Sequence, residues 1–251
     1  LIINMERWRW LPENLGQRYI YVNIADYNLK LFVNNQLKME MKTIVGREQR
    51  STPVFSDTID YLVLNPYWYV PKSIAVKDIL PEIKKDQKYL EENNFSLFQY
   101  TGNNKLEEID PGEVKWNQIN EENFNYLIRQ NPGNNNSLGR VKFMFPNKFS
   151  VYLHDTPGKY LFSKNQRNFS SGCIRIEKPV DLAEYLLNDQ EEWTRNHIEE
   201  EMKKDTEKII YLNNPIKIYL QYNTAWVNHF GNLNFREDIY NRDQKIMKAY
   251  F

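Results

Sequence analysis

Asn34-Asn35 divides KLFVNNQLKMEMKTIVG into two runs of alternating apolar and polar residues. In the second run Leu37, Met39 and Met41 fall on one side, and Lys38, Glu40 and Lys42 on the other. A period of two marks a strand with one buried face, and paired asparagines are a turn signal. The stretch predicts a β-hairpin and so commits this part of the chain to antiparallel sheet. RYIYVNI at 18–24 alternates in the same way, and DYLVLNP at 60–66 reads as another strand ended by a proline.

The pattern changes after residue 66. Residues 73–92 have helical spacing through Ile74, Ile79, Ile83, Tyr89 and Leu90, with Pro81 marking a break or a second helix start. Residues 101–118 are turn-rich, NEENFNYLIRQ at 120–130 predicts a short helix capped by Asn120, and 131–140 reads as loop. Strands are expected again at 140–145 and 149–154. Residues 178–188 predict an amphipathic helix with Val180, Leu182, Ala183, Leu186 and Leu187 inward, and 188–208 a second, highly charged helix. Two strands around Tyr222-Asn223 are expected over 215–228. The predicted class is α+β, mainly β. Residues 1–66 and 141–251 would form one β-domain, interrupted by a partly helical capping insertion at 67–140.

Lys+Arg and Asp+Glu are both 33, so no net charge draws the chain toward nucleic acid or an anionic membrane. The single cysteine excludes an internal disulfide and a Cys-rich zinc site, and three scattered histidines do not replace it. The start, LIINMERWRWLPENLG, lacks the apolar core of a signal peptide, and no stretch approaches the roughly 18 apolar residues of a membrane span. The expectation is a soluble fragment of something longer.

The one cysteine, Cys173, stands in FSSGCIRIE (169–177). A thiol becomes a nucleophile when a base or a positive field deprotonates it. Gly172 permits a tight bend before the sulfur, which can aim the Gly172 and Cys173 amides at one point as an oxyanion hole, with the Ser170 and Ser171 hydroxyls beside them. If the segment is extended, Arg175 shares the face of Cys173 and can hold a substrate carboxylate; it can equally pair with Glu177 or a carbonyl. The best base is His154, sharing one face of a strand with Ser150 and Tyr152; Asp155 can fix its tautomer, through its carbonyl more readily than through its side chain. His197 and His229 lack comparable company. Trp68 in NPYWYVP is a candidate for the wall facing the insertion, with core packing the plainer reading.

HDTP (154–157) and SSGCIR (170–175) resemble the L,D-transpeptidase catalytic domain of YkuD type, whose pattern is a histidine, a spacer, then [S/T]-x-G-C-[hydrophobic]-[R/N]. MERWRWLP (5–12), VGREQRSTPVF (45–55), NPYWYVP (65–71), NSLGRVKF (136–143) and YLHDTP (152–157) resemble the large, lid-bearing, YcbB-like periplasmic branch. Many members carry histidine two residues before the cysteine, where this chain has Ser171; the branch resembled here commonly has serine.

The resemblance implies a β-sandwich with a capping insertion and helices after the cysteine. It implies a cysteine acyltransferase acting on peptidoglycan peptide stems, cross-linking the third residues of two stems, with no cofactor and with carbapenem-type β-lactams as covalent inhibitors. Cys173 would be the nucleophile, His154 the base and Asp155 its orienting partner. Gly172 and Ser171 would serve the oxyanion site, and Arg175, Tyr152, Ser170 and Trp68 the substrate. It also implies a periplasmic or envelope location in a Gram-negative-type bacterium, with the full-length protein anchored or secreted. An L,D-carboxypeptidase and a non-catalytic peptidoglycan-binding module are the alternatives.

Overall fold

Asn34 and Asn35 both take left-handed backbone angles, φ 50° and 63°, as a two-residue hairpin turn of right-handed strands requires. They join β2 (Asn28–Val33) to β3 (Gln36–Ile44), after an opening helix α1 (Ile2–Arg9) and strand β1 (Arg18–Asn23). The next strand, β4, runs Phe55–Leu64 and so begins well before the alternating stretch that announced it. The computed structural model describes residues 1–101, 105–228 and 230–250; His229 lies outside them.

Between β4 and the rest of the main sheet the chain builds a second one. It contains β5 (Trp68–Tyr69), β6 (Phe95–Tyr100), β7 (Leu106–Ile109) and β8 (Tyr126–Gln130), in the order β5-β8-β6-β7. Ahead of β6 lie α2 (Lys72–Ile74), a π-turn at Ala75–Ile79, α3 (Leu80–Lys85) and α4 (Tyr89–Glu92). The wide turn immediately precedes Pro81, whose ring cannot sit against the carbonyl four residues back, so the helix bulges rather than stops. Ile79, Ile83, Leu90, Leu97, Trp116, Phe124 and Ile128 bury their side chains together in a cluster separate from that of the main sheet.

The helix expected at 120–130 is not formed. Asn120 does cap a turn, its side-chain oxygen accepting the Glu122 and Asn123 N–H groups. The following Tyr-Leu-Ile pairs with β6 instead, because Ile128 and Gln130 find burial there.

β9 (Val141–Met144), β10 (Leu153–His154), β11 (Ile174–Ile176) and β12 (Lys208–Gln221) complete the main sheet. Among the described residues its strands close into a barrel, β1-β12-β4-β9-β10-β11-β3-β2, so the two layers expected of a sandwich are joined into one ring. Two pairings are parallel, β1 with β12 and β10 with β11. Ile20, Leu29, Leu31, Leu62, Phe143, Leu153, Ile174 and Ile218 fill the interior.

Helix α5 (Pro179–Leu186) packs Leu182, Ala183 and Leu186 onto this core, as its spacing predicts. The charged helix expected over 188–208 is reduced to α6 (Arg195–Glu201). Trp193 turns inward ahead of it, and from Lys208 the chain is already in β12, whose register shifts between Tyr211 and Ile216 around Pro215. A small hairpin, β13 (Ala225–Val227) and β14 (Leu233–Phe235), and helix α7 (Arg242–Tyr250) follow.

Candidate active site

The bend around the cysteine is set by Gly172, whose φ of +119° suits glycine alone. Ser170, buried, locks the bend: its hydroxyl donates to the Cys173 carbonyl (2.5 Å) and accepts the Gly172 N–H (3.1 Å). Two expectations change as a result. The Gly172 amide is turned into the loop and is not presented to an oxyanion, whereas the Cys173 N–H has no acceptor among the described residues. Ser170 lines the cavity, but both hydrogen bonds of its hydroxyl stay within the loop.

A neighbouring segment braces this loop from below. Arg47 N–H donates to the Ser170 carbonyl (2.9 Å), and the Thr52 hydroxyl donates to the Gly172 carbonyl (2.8 Å) while accepting the Gly46 N–H (2.9 Å). The Tyr240 hydroxyl donates to the Gly46 carbonyl. A Cβ at Gly46 would lie 2.1 Å from the Arg50 carbonyl oxygen, so only glycine permits the fold-back.

The expected strand 149–154 is mostly irregular. Asn147 accepts the Phe149 and Val151 N–H groups, Ser150 takes a left-handed φ of 54°, and only Leu153–His154 joins the sheet. Through that short parallel pairing His154 stands beside Arg175 in register. Tyr152 and His154 remain neighbours, their rings edge-to-face with centroids 5.7 Å apart.

His154 is buried, and its Nδ1 lies 2.6 Å from the Asp155 carbonyl oxygen. A carbonyl only accepts, so Nδ1 carries the proton and Nε2 the lone pair. The Asp155 carboxylate does something else: it accepts the Arg140 N–H (2.9 Å) and pairs with Lys159. It also presses on Gly139, where a Cβ would come within 2.4 Å of it. Asp155 thus holds the 136–140 turn, which carries the Leu138 carbonyl, a second group acting on the imidazole.

Burial pushes His154 down to about 3, with the Arg175 charge adding to the effect, against the opposing pull of the Asp155 and Leu138 carbonyls. Burial pushes the Cys173 thiol up to about 11, while Tyr152, through its N–H and its hydroxyl, and the Arg175 charge favour the thiolate. The Tyr152 hydroxyl is itself raised by burial and by the facing sulfur. At neutral pH thiol and imidazole are both uncharged. No hydrogen bond joins them; the S–H points to the Ser150 carbonyl, 3.7 Å away, and Tyr152 touches both groups.

Cys173, His154, Tyr152, Arg175, Leu138 and Ser150 line one cavity of about 730 Å³ between barrel and insertion. Arg175, half-buried, keeps a buried Nε without a hydrogen-bond partner and makes no ion pair with Glu177, which accepts the Lys42 N–H instead. Trp68 lines the cavity while packing against Phe95 of the second cluster, so both of its readings apply. Ser171 is exposed, and its hydroxyl accepts from Arg50 (2.9 Å) and Arg47 (3.3 Å). Arg47 and Arg50 line the same cavity without having been singled out by sequence; both stand in VGREQRSTPVF, whose charge was the available signal. Among the described residues no group of three or more His, Cys, Asp or Glu could hold a metal ion.

A cysteine on a glycine bend and a tautomer-fixed histidine thus line the same cleft between barrel and insertion. The family profile described as the L,D-transpeptidase catalytic domain, YkuD, matches residues 17–210, and the chain belongs to that family. A candidate L,D-transpeptidase of Haemophilus influenzae is 37% identical over 251 residues, 99% of this chain and 49% of its own length. The chain thus spans about half the length of this curated relative. Among solved structures, an L,D-transpeptidase from Mycobacterium smegmatis matches at 11% identity and TM-score 0.39, covering 82% of this chain and 58% of its own. L,D-transpeptidase 3 from Mycobacterium tuberculosis, in complex with a faropenem-derived adduct, matches at 12% identity and TM-score 0.38, covering 82% and 60%.

Proposed function

We propose that this chain is a cysteine-dependent peptidoglycan L,D-transpeptidase that joins the third residues of two peptide stems. The observation that carries the reading is the placement of Cys173, Tyr152, His154 and Arg175 around one cavity, with the lone pair of His154 assigned to Nε2 by the Asp155 carbonyl.

Because thiol and imidazole are both neutral at rest, the proton moves during the attack. The thiol rotates from the Ser150 carbonyl toward Nε2, the proton passes to the imidazole, and sulfur bonds to the diaminopimelate carbonyl carbon of a donor tetrapeptide. The oxyanion is met by the free Cys173 N–H. Collapse breaks the C–N bond, and the imidazolium returns its proton to the nitrogen of the departing D-alanine, leaving a thioester. An acceptor stem amine then attacks the thioester, and its proton reaches the leaving sulfur by way of His154. Tyr152 steadies negative charge on sulfur in both steps. The insertion at 67–140 acts as the lid that limits water, so that amine outcompetes hydrolysis. Such a reaction belongs in the periplasm, where stems are exposed, and carbapenems would acylate the same sulfur through their strained carbonyl.

The test is mass spectrometry after meropenem, together with D-alanine release from a tetrapeptide and product analysis with an acceptor stem. One covalent adduct, absent in Cys173→Ala, with D-alanine released and a cross-linked dimer formed, is expected. No adduct and no release would leave a binding module; release without dimer would leave a carboxypeptidase.

A further inference from the structure

The cavity holds a charged feature that the acyl-transfer steps leave unused. Asp78, on the π-turn of the insertion, reaches across to the barrel. Arg50 grips its carboxylate with both terminal nitrogens, Nη1 in a short contact and Nη2 at 3.4 Å, and Arg47 Nη2 lies 3.2 and 3.4 Å from the two oxygens. The same Arg47 and Arg50 nitrogens donate to the hydroxyl of Ser171, two residues before the nucleophile. The charged side chains lining the cavity are thus three guanidiniums, Arg47, Arg50 and Arg175, against the single carboxylate of Asp78.

The two sides of this contact belong to different bodies of packing. The arginines stand on the 46–52 segment, fastened to the cysteine loop through Ser170, Thr52 and Gly172. Asp78 belongs to the other body of packing, the separate insertion cluster, and its side chain is about a third exposed. Two guanidiniums beside the cysteine loop make a carboxylate receptor, and Arg50, meeting the two oxygens through separate nitrogens, selects planar carboxylate oxygens. In a donor that loses its last residue, the terminal carboxylate lies one residue, about 4 Å of chain, beyond the attacked carbonyl.

We propose that Arg47 and Arg50 form the subsite for the terminal carboxylate of the donor stem, and that Asp78 occupies it as an internal stand-in until the donor arrives. This rests on the acyl-transfer reading above and adds its selectivity: the donor must end in a free carboxylate at the residue that leaves. Donor binding and the Asp78 clasp then exclude one another, so the incoming carboxylate releases the insertion from the barrel at this point.

The experiment compares D-alanine release from a tetrapeptide with release of D-alanine amide from the same peptide amidated at its C-terminus. For the unsubstituted chain the amide is expected to raise KM about tenfold or more, the worth of a charge-assisted hydrogen bond pair. Arg50→Gln should raise KM for the free acid by a similar factor and abolish the difference between the two donors, with Arg50→Lys intermediate. Asp78→Asn should lower KM for the free acid severalfold and leave the amide unchanged. Unfolding curves of each variant separate loss of fold from loss of the subsite. Equal handling of both donors by the parent chain, or full discrimination persisting in folded Arg50→Gln, would overturn the subsite. Absence of any release by the parent chain would instead remove the transpeptidase reading, and the subsite with it.

Discussion

Acid should destabilise this protein through one buried ring. His154 in the folded chain takes up a proton only near pH 3, because burial and the neighbouring Arg175 oppose it. In the unfolded chain it does so near 6.5. The contribution of the neutral buried imidazole is therefore whole above pH 6.5 and is lost as pH falls toward 3, because the unfolded state binds the proton first. At pH 4.5 the linkage amounts to roughly 2–3 kcal/mol, a sizeable part of a typical domain's stability. Comparison with His154→Gln isolates it, since glutamine does not titrate and every other carboxylate and histidine is shared. Urea unfolding at pH 7 and 4.5, followed by the fluorescence of the six tryptophans, should show the parent chain losing roughly 2–3 kcal/mol more than the variant across that interval. Equal losses in the two proteins would refute the assignment of a buried, neutral imidazole.

Three further outcomes follow from the same geometry. Gly139→Ala forces a side chain into a left-handed φ of 64° and against the Asp155 carboxylate; the conformational penalty alone is about 1–2 kcal/mol, and displacement of Asp155 from Arg140 should carry the total above about 2 kcal/mol, read by urea unfolding, with a loss under about 0.5 kcal/mol counting against the contact. Alkylation of Cys173 by iodoacetamide should rise about tenfold per pH unit from pH 7 toward its value of about 11, without a plateau near neutrality; Tyr152→Phe should slow the reaction at pH 8 by about tenfold, and an unchanged rate would remove the hydroxyl from the thiolate's environment.

The placement of the candidate site's residues was more legible than the scaffold that holds them. Gly172, Cys173 and Arg175 announce a bend and a shared face within four residues, and the tautomer-fixing Asp155 carbonyl follows from adjacency. The Asn34-Asn35 turn was legible because its angles are local. What failed depended on partners remote in sequence. Residues 126–130 become strand because β6 waits for them, and Lys208, the end of the expected charged helix, instead opens β12 and pairs with Leu64 of β4. The true direction of the Gly172 amide and the clasp of Asp78 on Arg47 and Arg50 arise from contacts across 28 residues or more, or from a hydroxyl whose rotamer no spacing encodes.

The brace under the cysteine loop has a practical meaning for anyone trimming this chain. The family match ends at 210, yet Tyr240 props Gly46, and Gly46 in turn is tied through Thr52 to the peptide just ahead of the sulfur. Shortened versions that stop where the family match stops would keep Cys173 and His154 and still remove the post on which the cysteine loop rests. The 41 residues beyond position 210 are best counted as part of the support of that loop, however little chemistry they carry themselves.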